Sequence, residues 1–187
     1  MITLRPQYDA IGVTDSSPRR MMVPWRTGYP APTAHERTGA VMTVVRDTTA
    51  SVEAVWNVLS DGWSYATWVV GASRIRAVDP EFPAPGSRIH HSVGLWPAVL
   101  NDETRVLSMT EGREVTLEAR GMPAGKATIV LRLTPRGSGC RIEMIEHART
   151  LPFSLVPESV QHALVYPRNT EATRRLALLA ERSAVPR

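Results

Sequence analysis

Between Gly71 and His147 the chain is punctuated by turn-forming residues at short intervals, and this constrains its fold more than any other feature. Asp79-Pro80, with Pro83, Pro85 and Gly86, is followed by Pro97, by Glu111-Gly112, by Gly121 with Pro123 and Gly125, and by Gly137-Ser138-Gly139. Proline fixes φ and glycine supplies positive φ, so each group marks a reversal of the chain. The stretches between them are too short to hold helical crossovers, so successive strands are expected to run antiparallel. Strands are predicted at about 73–78, 87–96, 101–109, 114–120, 127–134 and 141–147, with a β-branched run over 41–48 as a first strand ahead of them.

Helical patterns flank this meander. Ser51 is placed to cap a helix, with Glu53 in its first turn where the macrodipole favours a carboxylate. Val52, Val55, Trp56 and Leu59 recur at i, i+3, i+4 and i+7, which gives one apolar stripe, and Asp61-Gly62 ends it. A second short helix or turn over 63–70 gathers Trp63, Tyr65 and Trp68 as core or pocket wall before Gly71 breaks it. Residues 158–183 read as a long amphipathic helix, with Val160, Ala163 and Leu164 on one side, a bend at Pro167, then Ala172, Leu176, Leu179 and Ala180. Its apolar side needs a partner. The sheet supplies one through inward residues Val115, Leu117 and Ala119 on one strand and Ala127, Ile129, Leu131 and Leu133 on another.

At 187 residues, 43% hydrophobic and 21% charged, the chain suits one domain with an extension. Residues 1–40 carry prolines at 6, 18, 24, 30 and 32 and no sustained apolar period, so they are expected to be a disordered N-terminal extension to a domain at 41–187. The alternatives are a basic docking arm, with Arg19, Arg20 and Arg26 around Met21, Met22 and Trp25, or a mis-assigned start. No apolar run reaches the roughly 18 residues of a membrane span, and Arg5, Gln7 and Asp9 interrupt any secretory signal, so no stable membrane insertion and a cytoplasmic address are expected. Cys140 stands alone, which excludes an internal disulfide and a cysteine-cluster metal site. The pI near 9.8 suggests nucleic acid, but the net charge is only +4. Half of that excess lies in residues 1–40, where Arg5, Arg19, Arg20, Arg26 and Arg37 face Asp9, Asp15 and Glu36. The remainder interleaves arginine with acid instead of forming a basic stripe, so no nucleic-acid partner is expected.

The first strand, the helix pair with Val55-Trp56 and Tyr65-Ala66-Thr67-Trp68, the six-strand meander, and the closing helix with Arg168-Asn169-Thr170-Glu171 and Leu176-Ala177-Leu178-Leu179 resemble the START-like (SRPBCC) superfamily. Within it the chain is most similar to the bacterial polyketide cyclase/dehydratase branch, over roughly 41–183. The resemblance implies an α+β helix-grip fold: a curved antiparallel sheet of about seven strands wrapped around a long C-terminal helix, two short helices after the first strand, and a hydrophobic cavity between sheet and helix. The superfamily includes lipid carriers, hormone receptors and aromatic cyclases, so the fold leaves the function open.

The most informative strand runs from Gly86 to Pro97. Alternation puts Ile89, His91, Val93 and Leu95 on the apolar face and Arg88, His90, Ser92 and Trp96 on the other. An inward His91 is suited to orient a ligand carbonyl or to act as a general base near neutral pH; the alternative is a neutral core histidine bonded to backbone or water. On the last strand Glu146 shares its parity with Ile142 and Met144. A buried carboxylate is costly unless paired, so Glu146 calls for a partner such as His91, an arginine or a ligand hydroxyl, unless that strand end is wet. If both face the cavity, His91 and Glu146 form a candidate acid/base couple for enolising or dehydrating a ketone-bearing ligand. The remaining expected cavity wall is Trp56, Tyr65, Trp68, Ile89, Val93, Leu95, Leu117, Ile129, Leu131, Met144, Val160, Ala163 and Leu164.

Other chemistry finds no support. Ser92 lies in no strand-turn-helix nucleophile elbow, adjacent His90 and His91 face opposite ways, and there is no P-loop, dinucleotide fingerprint or zinc spacing. Asp102 and Glu103 read as solvated charges at a strand start. No metal or cofactor is expected, and the oligomeric state is left open. The sequence therefore points to a protein that binds a hydrophobic, lipid-like or aromatic small molecule, with a cyclase or dehydratase and a protein-interaction module as the alternatives.

Overall fold

The computed structural model describes residues 41–94, 97–121, 125–148 and 158–183; the expected N-terminal extension, 1–40, lies outside them. Strand β1 (Val41–Thr48) leads directly into helix α1 (Val52–Ser60). Ser51 caps that helix from an extended backbone, its Oγ accepting a hydrogen bond from the Ala54 amide at 3.1 Å, which satisfies one of the donors a helix start leaves unpaired. Val55, Trp56 and Leu59 form its buried stripe. Asp61 then accepts from the Trp63 amide at 3.0 Å and starts a 3-10 turn (Gly62–Ser64), which continues into the one-turn helix α2 (Tyr65–Trp68). Tyr65 and Trp68 are buried, whereas Trp63 is 61% exposed and belongs to neither core nor pocket.

The meander forms β2 (Ala72–Val78), β3 (Arg88–Val93), β4 (Leu100–Thr110), β5 (Glu114–Gly121), β6 (Gly125–Arg136) and β7 (Gly139–Ala148). With β1 they make one seven-stranded sheet in the order β1-β7-β6-β5-β4-β3-β2, every neighbouring pair antiparallel. β3 stops three residues earlier than its apolar alternation suggests. Gly94 turns there with φ of 104°, and a Cβ on it would meet the Ala98 carbonyl oxygen at 2.3 Å, so the reversal depends on glycine. The inward faces pair as alternation requires: Val115 opposite Leu131, Leu117 opposite Ile129, and Leu133 opposite Ile142.

Edge strand β2 carries two bulges, one between Ala72 and Arg74 and one between Ile75 and Ala77. Bulges re-aim side chains, and the second redirects Arg76. Its Nε and Nη2 donate to the His91 carbonyl at 3.3 and 3.2 Å, and Nη2 also donates to the Asp102 carbonyl at 3.1 Å. One guanidinium thus clamps the backbone of two facing residues on β3 and β4.

Helix α3 (Glu158–Ser183) runs across the sheet with Pro167 inside it. Its buried face is Val165, Asn169, Ala172, Thr173, Leu176, Ala177 and Ala180. Ala163, expected on that face, is instead exposed. The reason is phase: at about 100° per residue, nine residues separate Ala163 from Ala172 by two and a half turns, which places them on opposite sides. The end of α3 is fastened to the β1–α1 junction by Glu181, which accepts from Thr48 Oγ1 at 2.6 Å and from the Thr49 amide and hydroxyl at 3.2 Å each.

Candidate functional site

Sheet, α2 and α3 enclose a cavity of about 380 Å³. Among its lining residues Gly71, Gly94, Arg120 and Arg168 are exposed to solvent. Small inward residues create much of the space: Ala119 and Ala127 face each other across β5 and β6, and α3 contributes Ala172.

Two polar clusters interrupt the apolar wall. The first begins with His91, which alternation along β3 turns inward beside Ile89 and which is only 3% exposed. Thr104 on β4 shares that face, two residues from Asp102, the residue directly opposite His91. His91 Nε2 and Thr104 Oγ1 are 3.0 Å apart, and the Tyr65 hydroxyl lies 2.9 Å from the same Oγ1. The Tyr65 ring packs against both Trp68, edge-on with centroids 5.4 Å apart, and the His91 imidazole at 5.3 Å. Burial pushes the Tyr65 phenol up to about 12, against the opposing pull of the Thr104 hydrogen bond, so it keeps its proton at neutral pH. Burial likewise lowers the pKa of His91. Asp102 pulls in the opposite direction, Arg76 and His90 add to the lowering, and the Ser92 backbone favours the proton slightly. The imidazole is therefore neutral at pH 7. Its Nδ1 is buried without a hydrogen-bond partner, and so is Asp102 Oδ2.

The second cluster centres on Glu146, which is 8% exposed. Its Oε2 accepts from the Arg168 guanidinium and, at 2.8 Å, from Asn169 Nδ2. Arg168 Nε also donates to Asn169 Oδ1 at 3.2 Å. Successive residues of α3 thus supply both partners that the buried carboxylate requires.

His91 and Glu146 both line the cavity, but each is bonded to different neighbours, and no hydrogen bond joins them as a couple. Tyr65, Trp68, Val93, Leu117, Ile129 and Met144 line it as well. Trp56, Ile89 and Leu131 do not; they are packed into the core beneath it, Ile89 and Leu131 fully buried. Ala163 is exposed, and the cavity-facing stretch of α3 is Val165, Arg168, Asn169 and Ala172. Leu95, and the side chains of Val160 and Leu164, lie outside the described residues.

Asp102 was expected to be a solvated turn charge and is instead buried inside β4 at 7% exposure. Its parity with Thr104 and Val106 was a usable signal, hidden by the polar Asn101 and Glu103 on either side. Arg168 and Asn169 were legible only by counting helix phase back from Ala172.

This arrangement, an antiparallel sheet closed by one long helix with a cavity between them, is that of the helix-grip proteins of the START-like (SRPBCC) superfamily. More narrowly, the chain belongs to the polyketide cyclase / dehydrase and lipid transport family, whose model matches residues 39–181. A search of curated proteins gives no significant match. Among solved structures, a protein from Nitrosomonas europaea shares 17% identity at a TM-score of 0.61, over 77% of this chain and 96% of its own. The di-domain aromatase/cyclase StfQ of the steffimycin biosynthetic pathway gives a TM-score of 0.64 at 10% identity, over 80% of this chain and 53% of StfQ. DynU16, from the dynemicin biosynthetic locus, gives 0.56 at 16% identity, over 77% of this chain and 48% of its own. At these identities the neighbours establish the fold, while the family supports either hydrophobic-ligand binding or polyketide-cyclase chemistry. Among the described residues no helix is long and apolar enough to cross a membrane.

Proposed function

We propose that the protein binds a compact hydrophobic small molecule, aromatic or polyketide-like, that carries oxygen functions at separated positions. The observation that carries this reading is the cavity itself. Its volume of about 380 Å³ falls in the range of small-molecule sites, its walls are mainly apolar, and apart from the facing Arg120 and Lys126 at one end its charged and hydrogen-bonding side chains form two clusters, Tyr65–Thr104–His91 and Glu146–Arg168–Asn169. Apolar walls supply affinity, and a few fixed polar groups supply orientation. Cyclase or dehydratase chemistry through a His91–Glu146 couple is less well supported, because Glu146 Oε2 is bonded to Arg168 and Asn169 and His91 Nε2 to Thr104, with no hydrogen bond between the two residues.

The test is gentle purification followed by native mass spectrometry for a co-purifying small molecule, together with titration of the neutral fluorophore N-phenyl-1-naphthylamine, which brightens on burial. Binding that weakens in Ala127→Leu, where the new side chain projects into the cavity, supports the reading. An empty protein that takes up no probe refutes it.

A further inference from the structure

Two buried polar atoms stand without partners on residues that directly face one another, His91 Nδ1 on β3 and Asp102 Oδ2 on β4. A carboxylate offers only acceptors, and an imidazole nitrogen is a donor or an acceptor according to its proton. No hydrogen bond or ion pair joins the two atoms directly; the carboxylate opposite the ring favours a hydrogen on Nδ1, and one water accepting from Nδ1–H and donating to Asp102 Oδ2 would then satisfy both. That choice fixes the remainder of the cluster. His91 Nε2 becomes an acceptor, Thr104 must donate its hydroxyl proton to it, and the Tyr65 hydroxyl must donate to Thr104 Oγ1. The Tyr65 oxygen then retains its acceptor capacity at the cavity wall. The Arg76 clamp on the His91 and Asp102 carbonyls holds the facing pair in place.

Resting on the binding reading above, we propose that Asp102, His91, Thr104 and Tyr65 form a proton relay ending at the Tyr65 oxygen, and that it selects ligands presenting an ionisable hydroxyl, a phenol or an enol. The ligand O–H donates to Tyr65. When the ligand ionises, its proton passes to the Tyr65 oxygen, the Tyr65 proton to Thr104, and the Thr104 proton to His91 Nε2. Only O–H and N–H bonds change, and one neutral ligand and one neutral imidazole become an oxyanion and an imidazolium. The oxyanion accepts from Tyr65, and Asp102 faces the imidazolium. Asp102 is a positioning residue in this scheme. The charged and titratable groups around His91 are Asp102 on β4, Arg76 on β2, Tyr65 on α2 and, on the opposite face of its own strand, His90; of these Asp102 alone favours the imidazolium as an opposite charge.

The ligand-free test is long-range nitrogen–proton correlation NMR, with the His91 resonances assigned by their loss in His91→Gln. Protonated Nδ1 and bare Nε2 in the wild type, with that preference lost in Asp102→Ala, support the relay; an Nε2–H tautomer in the wild type overturns it. The second test titrates 7-hydroxycoumarin, whose phenol and phenolate absorb differently, with N-phenyl-1-naphthylamine as a probe lacking a hydroxyl. The bound coumarin is expected to ionise at least about one pH unit lower in the wild type than in Asp102→Asn, a tenfold change in its acid constant. Tyr65→Phe should lose the same shift, and the naphthylamine should still bind Asp102→Asn. Coumarin bound without a shift overturns the relay alone. Failure of both probes to bind overturns the cavity reading and the relay with it.

Discussion

Replacing Arg168 with alanine should destabilise the protein by about 1.5–2.5 kcal/mol, a figure bracketed by two limits. Breaking a fully buried ion pair costs about 3–5 kcal/mol because the surviving charge is stranded, whereas an exposed pair is worth about 0–1. Here the Glu146 side chain is 10% exposed and that of Arg168 is 41% exposed, so water reaches the cation while the carboxylate stays largely dry. Asn169 Nδ2 remains bonded to Glu146 at 2.8 Å in the variant, which offsets part of the loss. The expected fall in Tm is about 3–10 °C, at about 2–4 °C per kcal/mol for a chain of this size. Urea unfolding of the wild type, Arg168→Ala, Glu146→Gln and the double variant isolates the pairwise term, since a glutamine can still accept from Asn169 and carries no charge to strand. In the Glu146→Gln background the arginine should matter less, leaving a coupling of about 1 kcal/mol with no change in the urea slope. Additive effects, or an Arg168→Ala variant within about 0.5 kcal/mol of wild type, would show that Glu146 is solvated and that α3 does not neutralise it.

Leu131 is fully buried beneath the cavity without lining it, so Leu131→Ala should cost about 2–5 kcal/mol in chemical denaturation. Gly139→Ala should destabilise measurably by the same assay and shift the β1–α1 junction in amide spectra, because a Cβ there would stand 2.1 Å from the Thr48 carbonyl oxygen. The Thr48 hydrogen bond holds the Glu181 carboxyl below its ordinary value of 4.5. A depressed folded-state pKa stabilises above the unfolded value, so the advantage of wild type over Glu181→Gln, no more than about 1 kcal/mol for a group that water still reaches, should be complete above pH 4.5. It should vanish as the pH falls through the lowered value, as followed by thermal melts across the acid range.

The strands were readable because their causes are local. Two-residue alternation on β5 and β6, and the turn residues between strands, each act within a few positions, and both survived folding with shifts of one or two residues at most ends. His91 and Glu146 were legible for the same reason, parity with apolar neighbours. What alternation does not show is depth. Ile89 and His91 share one face of β3, yet Ile89 is sealed into the core and His91 borders open space, because that depends on where α2 and α3 come to rest. On α3, Ala172, Leu176 and Ala180 are buried as expected and Ala163 is not, because apolar identity carries no angular position, while polar Asn169 has the inward phase. The Thr104–Tyr65 bond joins residues 39 positions apart in sequence and belongs to no local pattern.

The strand order has a consequence for how the chain reaches this state. β1 and β2 follow one another in sequence yet occupy opposite edges of the sheet, and β1 pairs with β7, from Val41 opposite His147 to Thr48 opposite Cys140. As the polypeptide leaves the ribosome, its first strand has no sheet neighbour until the last strand has been made, while β2 to β6 can already zip hairpin by hairpin. The sheet must therefore close from the β2 side, and its N-terminal strand docks late, when β7 arrives and α3 follows to fasten the junction through Glu181.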